Sequence, residues 1–133
     1  MITIGLDTGF FFRLHTRHPQ ALEVWHRIAT GSDEGVISCI TLFELERLGL
    51  RGALPKESAE VLVENIPIVC KVVWLGQENK ALFNKAARFA HGNGLSMADS
   101  LILASLIQAG ASIVYTTDSD IAGYESQIHI VRL

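Results

Sequence analysis

At 133 residues the chain is long enough to bury its own core and too short for two ordinary domains, so one domain over residues 1–133 is expected. Hydrophobic residues make up 49% and charged residues 19%, which excludes a disordered chain. The formal charge of −3 excludes attraction of nucleic acid by the net field and leaves that role to a local patch.

No apolar run reaches the ~20 residues of a membrane helix. The start Met1-Ile2-Thr3-Ile4-Gly5-Leu6-Asp7 lacks a basic flank and meets an acid too early for a signal peptide, so a cytoplasmic protein is expected, with no membrane partner. Cys39 and Cys70 sit in apolar runs, spaced for neither zinc nor a redox pair, and read as buried free thiols.

In chain order, Ile2 to Leu6 reads as a buried strand that stops at a turn, Asp7-Thr8-Gly9. Phe10, Phe11 and Phe12 pack, and Arg13-Leu14-His15-Thr16-Arg17-His18 forms a basic loop or helix end. Pro19 opens a helix to about Ala29. Val36-Ile37-Ser38 is a second strand, and Thr41 starts a helix to about Leu50. A further helix covers Lys56 to Asn65, followed by a β-branched strand, Ile68 to Trp74. Gln77 to His91 is helical and ends at Gly92-Asn93-Gly94. Met97 to Ala109 is a strongly apolar helix broken at Gly110, and Ile113-Val114-Tyr115 and Ile128 to Val131 are the remaining strands. Strands alternating with helices imply right-handed crossovers, hence an α/β fold in three layers (α/β/α) with a mostly parallel sheet of four to five strands.

Acids recur at comparable points of this pattern. Asp7 follows the first strand, Glu44 and Asp99 lie in the first turns of two helices, and Asp118 follows a strand with Asp120 close behind. Groups beyond the carboxyl ends of parallel strands gather in one crevice. Each acid also has a local explanation: Thr41-x-x-Glu44 and Ser96-x-x-Asp99 fit capping boxes, and Asp7 and Asp118 fit turn caps. Converging carboxylates repel unless a cation neutralises them. An all-oxygen set of this kind suits Mg²⁺ or Mn²⁺, which activate water and stabilise the leaving oxygen of a phosphodiester. Arg13, His15, Arg17 and His18 are the nearest cationic candidates for phosphate contact, with a solvated loop as the alternative.

The segments Ile4-Gly5-Leu6-Asp7-Thr8, Ser38-Cys39-Ile40-Thr41-Leu42-Phe43-Glu44-Leu45, Asp99-Ser100-Leu101-Ile102-Leu103-Ala104 and Thr116-Thr117-Asp118-Ser119-Asp120 resemble, in order and spacing, the PIN-domain family of metal-dependent ribonucleases. The chain is similar in size to the VapC-like toxins of toxin–antitoxin pairs within it. Two positions depart from the pattern: Gly9, where a small polar residue is usual, and Leu106, where a second alanine is usual. The resemblance implies an endoribonuclease with Mg²⁺ or Mn²⁺ held by Asp7, Glu44, Asp99 and Asp118, Asp120 as an additional acid, and Thr116 orienting a carboxylate or water. It also implies a homodimer and inhibition by an antitoxin protein whose tail fills the crevice; RNA contacts from Arg13, His15 and Arg17 rest on their closeness to Asp7. The alternatives are a non-cleaving RNA- or protein-binding module and a free-standing RNA-processing nuclease. An aspartyl-phosphate phosphatase would need a second Asp at position 9, and a receiver domain would need an acceptor Asp near Trp74-Leu75-Gly76; neither is present.

Overall fold

A computed structural model describes residues 1–124 and 128–133. Five strands, β1 (Thr3–Leu6), β2 (Glu34–Ser38), β3 (Lys71–Val73), β4 (Ile113–Thr116) and β5 (His129–Arg132), form one sheet in the order β3-β2-β1-β4-β5. Every pairing is parallel. The expected three-layer fold is therefore present, with the sheet parallel throughout.

Alternation along the strands divides the core. Ile4, Leu6, Ile37 and Tyr115 face α1 (Thr8–His15), α2 (Pro19–Ala29), α3 (Cys39–Leu50) and α4 (Lys56–Val69), where Phe10, Phe11, Val24, Leu45 and Ile66 are buried. Val36, Val73 and Val114 point the other way, onto α5 (Lys80–Asn93) and α6 (Met97–Gln108) through Leu82, Leu101, Ala104 and Leu106. A methyl group on Gly5 would stand 3.1 Å from Leu106 Cδ1 and 3.2 Å from its Cβ. The bulk of Leu106 is thus matched by a strand residue with no side chain, which accounts for one of the two departures from the family pattern. α6 is buried along most of its length, in keeping with its apolar sequence.

Several boundaries differ from the sequence reading. The turn expected at Asp7-Thr8-Gly9 instead opens a helix, α1, because Asp7 caps it and Phe10 and Phe11 bury against the sheet; Arg13 and His15 form its last turn, the helix end among the two readings. The strand expected over Ile68–Trp74 shrinks to Lys71–Val73, since α4 continues past Pro67 to Val69 and is closed by Cys70 N–H donating to Ile66 O at 2.8 Å. A proline inside a helix normally ends it, but here it lies in the last turn. Gln77–Asn79 forms a 3-10 turn before α5, and a short helix, α7 (Ser119–Ala122), follows β4. Gly94 ends α5 in the left-handed conformation, φ 69°. Cys70 is buried and its thiol is pushed up to about 12 by burial, whereas Cys39 is only half-buried. No helix among the described residues is long and apolar enough to cross a membrane.

Candidate active site

The strand order reverses between β1 and β4, the place where open parallel sheets form a crevice beyond the strand ends. Asp7 and Thr116–Asp118 lie there side by side, because Leu6 is in register with Tyr115. Asp7 is 4% exposed. Its Oδ1 accepts from Phe10 N–H at 3.0 Å, capping α1, and its Oδ2 accepts from the Thr116 hydroxyl. Thr116 Oγ1 in turn accepts from Asp118 N–H at 2.9 Å, so one buried hydroxyl connects the two acids. Asp118 caps α7, its Oδ1 accepting from the N–H groups of Asp120 and Ile121 at 2.7 and 3.0 Å.

Glu44 arrives from α3. Its expected capping box with Thr41 does not form: Ser38 is the cap, its hydroxyl accepting from Ile40 N–H at 3.1 Å. That shift of the helix start leaves Glu44 in the second turn rather than the first. The glutamate instead accepts from Thr8 Oγ1 at 2.6 Å, which also donates to Thr41 Oγ1 at 3.2 Å. Asp99 keeps its predicted place three residues after the cap of α6, its N–H donating to Ser96 Oγ at 3.2 Å.

Asp7, Glu44, Asp99 and Asp118 line a single cavity of about 160 Å³, together with Thr8, Gly9, Ile102 and Thr117. Larger hollows lack such a cluster. Among the described residues, one of about 540 Å³ beside Lys85 and Phe89 is lined by no carboxylate, and one of about 350 Å³ between α1 and α4 has only Glu57.

The electrostatics of the cavity are those of acids crowded together. Burial pushes the Asp7 carboxyl up from 3.8 to about 6, against the hydrogen bonds from Thr116, Phe10 and Thr117, and Asp118 adds to the rise. Asp99 is also raised, chiefly by burial, then by Asp118, with smaller contributions from Glu44 and Asp120 and a counter-effect from Ser96. Among the described residues the one ion pair within 4.0 Å is Arg27–Asp33, far along the chain, and none of the cavity acids has a cationic partner. Four oxygen donors without a nitrogen or sulfur fit a hard divalent cation. As they stand, no three acidic, histidine or cysteine side chains among the described residues close on one point tightly enough to grip an ion.

The remaining candidates scatter. Asp120 is exposed and outside the cavity lining. Arg13 lies on an adjoining hollow with Thr8, Gly9 and Thr117. His15 turns to the hollow that holds Glu57, and Arg17 is exposed in the turn after α1, its backbone left-handed at φ 63°. His18 caps α2, its Nδ1 accepting from Gln20 N–H at 3.2 Å. Thr8 and Thr117 were not foreseen as site residues. Adjacency to Asp7 was the available signal for Thr8; nothing in the sequence marks Thr117.

Known proteins share this fold. No curated protein matches the chain by sequence. Among solved structures, VapBC2 from Rickettsia felis bound to promoter DNA superposes with a TM-score of 0.73 at 16% identity, over 99% of each chain. DNA-bound VapBC from Salmonella typhimurium gives 0.72 at 20% identity, over 99% of this chain and 98% of the other. The Mycobacterium tuberculosis toxin VapC20, described as cleaving the Sarcin-Ricin loop, gives 0.64 at 21%, over 92% and 96%. At these identities the likeness shows a shared fold. Residues 4–126 match the PIN domain family, and the chain belongs to it.

Proposed function

We propose that this chain is a Mg²⁺- or Mn²⁺-dependent endoribonuclease and the toxin of a toxin–antitoxin pair. The observation that carries the reading is the set Asp7, Glu44, Asp99 and Asp118, brought from four separate elements to one cavity at the reversal point of a parallel sheet. Such a set without cationic partners stands unneutralised, and burial together with mutual repulsion raises Asp7 and Asp99. These four would hold the ion, with Asp120 near enough to add charge. When bound, such an ion lowers the pKa of a water and stabilises the leaving oxygen of a phosphodiester.

The chain's own residues have separable tasks. Thr116 holds Asp7 and Asp118 together and keeps the Asp7 carboxylate turned toward the cavity. Thr8 donates to Glu44 and fixes its approach. Arg13 supplies positive charge at the rim for RNA phosphate. The toxin role and the antitoxin partner are supported by the fold shared with VapBC structures and with FitAcB from Neisseria gonorrhoeae. A homodimer and a cytoplasmic location complete the proposal.

Alanine at Asp7 or at Asp99 is expected to abolish metal-dependent cleavage of RNA while the circular dichroism spectrum stays that of a folded α/β protein. Cleavage retained by both variants would sink the proposal. That no three such side chains among the described residues close on one point favours one rival, a binding module that holds RNA without cutting it. Titration of Mg²⁺ or Mn²⁺ into wild type with a generic RNA separates the two, since only the nuclease yields products. Expression of the chain in a bacterial host tests the toxin role: growth should stop for wild type and continue for the Asp7 variant.

A further inference from the structure

The geometry points to a subsite for one nucleotide of single-stranded RNA beside the acid cavity, formed by Phe12, Arg13, Leu48 and Thr117; this step rests on the ribonuclease reading. A hollow of about 300 Å³ is lined by these four residues and by Thr8 and Gly9. That volume is at the lower end of the range of small-ligand sites, ~300–1,000 Å³. Thr8, Gly9 and Thr117 also line the acid cavity, so the two hollows share a wall.

Gly9 stands on that wall, and its departure from the family pattern acquires a cause here. A methyl group on it would lie 1.7 Å from Thr117 Oγ1. The Thr117 hydroxyl occupies the space that a side chain at position 9 would take. The polar group at the junction of the hollows is therefore delivered from the end of β4 rather than from the start of α1.

The lining has the chemistry of a nucleotide site. Phe12 and Leu48 are half-buried and offer an aromatic and an aliphatic wall, on which unpaired bases pack with modest preferences set by stacking strength. The hydroxyls of Thr8 and Thr117 can pair with ribose or base edges. Among the described residues Arg13 is the only charged one in the lining, and it is exposed. It lies one helical turn beyond Gly9, about 6 Å along the axis. An occupant must therefore be negative on the Arg13 side, partly flat and apolar in the middle, and continuous with a group drawn to the acid cavity when a cation is present. A phosphodiester chain meets all three conditions, with one phosphate at the acids, the adjoining base between Phe12 and Leu48, and the next phosphate at Arg13.

Steady-state cleavage of short RNAs that differ only at the nucleotides flanking the cut, in Mn²⁺, tests this with Arg13→Ala, Leu48→Ala and Thr117→Val. Phe12→Ala is added, and thermal melts accompany it and Leu48→Ala, since both side chains also pack on the core. The expected result is a rise in KM of about tenfold for Leu48→Ala and Arg13→Ala, the scale of one lost base or phosphate contact, with a changed preference at one flanking nucleotide. If wild type cuts RNA but KM and preference are unchanged in both variants, the subsite is overturned, the ribonuclease reading stands, and the hollow is left to a protein segment. If wild type cuts no RNA, fluorescence anisotropy with a labelled oligonucleotide decides. About tenfold weaker binding by the same variants upholds the subsite without the nuclease; unchanged or undetectable binding overturns it.

Discussion

Replacing Asp7 by Asn should make the metal-free protein more stable while removing its activity. The buried carboxyl is raised from 3.8 to about 6, and at ~1.4 kcal/mol per pH unit its ionised form costs the fold about 3 kcal/mol. Asparagine keeps the helix cap, because its oxygen still accepts from Phe10 N–H, and its amide can donate to Thr116 Oγ1 in place of the present bond. Below about pH 4 the wild-type carboxyl is protonated in both folded and unfolded chains, so the raised value contributes its full stability there. That contribution is lost as pH rises through about 6. Urea unfolding in a chelator should therefore show variant and wild type nearly equal at about pH 4, and the variant ahead by roughly 1–3 kcal/mol at pH 8. Adding Mg²⁺ or Mn²⁺ at pH 8 should stabilise wild type and leave the variant much less affected. A wild type as stable as the variant at pH 8 without metal, or a gap that does not change with pH, refutes the argument.

Three further substitutions probe the supports of the site. Thr8→Val removes the donor to Glu44 and should raise the Mn²⁺ concentration for half-maximal cleavage about 10–100-fold, read by metal titration. Gly9→Ala forces a methyl group against Thr117 Oγ1 and should cost roughly 1–3 kcal/mol in a chemical melt, most of it recovered in Gly9→Ala/Thr117→Ala; additive losses would show that the two positions do not compete for space. Ser38→Ala removes the cap of α3 and the longer of two contacts of Ser105 Oγ, which keeps Leu101 O as acceptor, and should lower stability by about 1–2 kcal/mol with Glu44 still in place.

Much of the fold is legible because burial on both sides of a parallel sheet leaves short, continuous apolar runs at Ile4–Leu6, Val36–Ile37 and Ile113–Tyr115. The helices that failed or shifted are those whose sequence argues against them. A glycine at the second position of α1 and a run of three phenylalanines hide its period, and Pro67 hides the last turn of α4. The four acids are legible as polar residues standing where apolar elements begin or end. Glu44 is instructive: the sequence offers a capping box, but Ser38 captures the helix start and leaves the glutamate free to meet Thr8. Strand order and the hydroxyl links are not legible, because they depend on which strands pair across most of the chain. The crowding of Thr117 onto Gly9 is of the same kind, a contact between positions that no short pattern connects.

The hydrogen bond from Thr116 to Asp7 spans 109 positions, and Asp7 sits beside its partner only when β4 has paired with β1. A chain growing from the ribosome therefore carries its first acid long before it can assemble the cavity. Folding of β1, β2 and α3 alone leaves Asp7 and Glu44 without Asp99 and Asp118. Pairing over such a separation is among the later and slower events of folding. On the ribonuclease proposal, this topology would defer activity to the end of synthesis, and an inhibiting partner would be needed only from that moment.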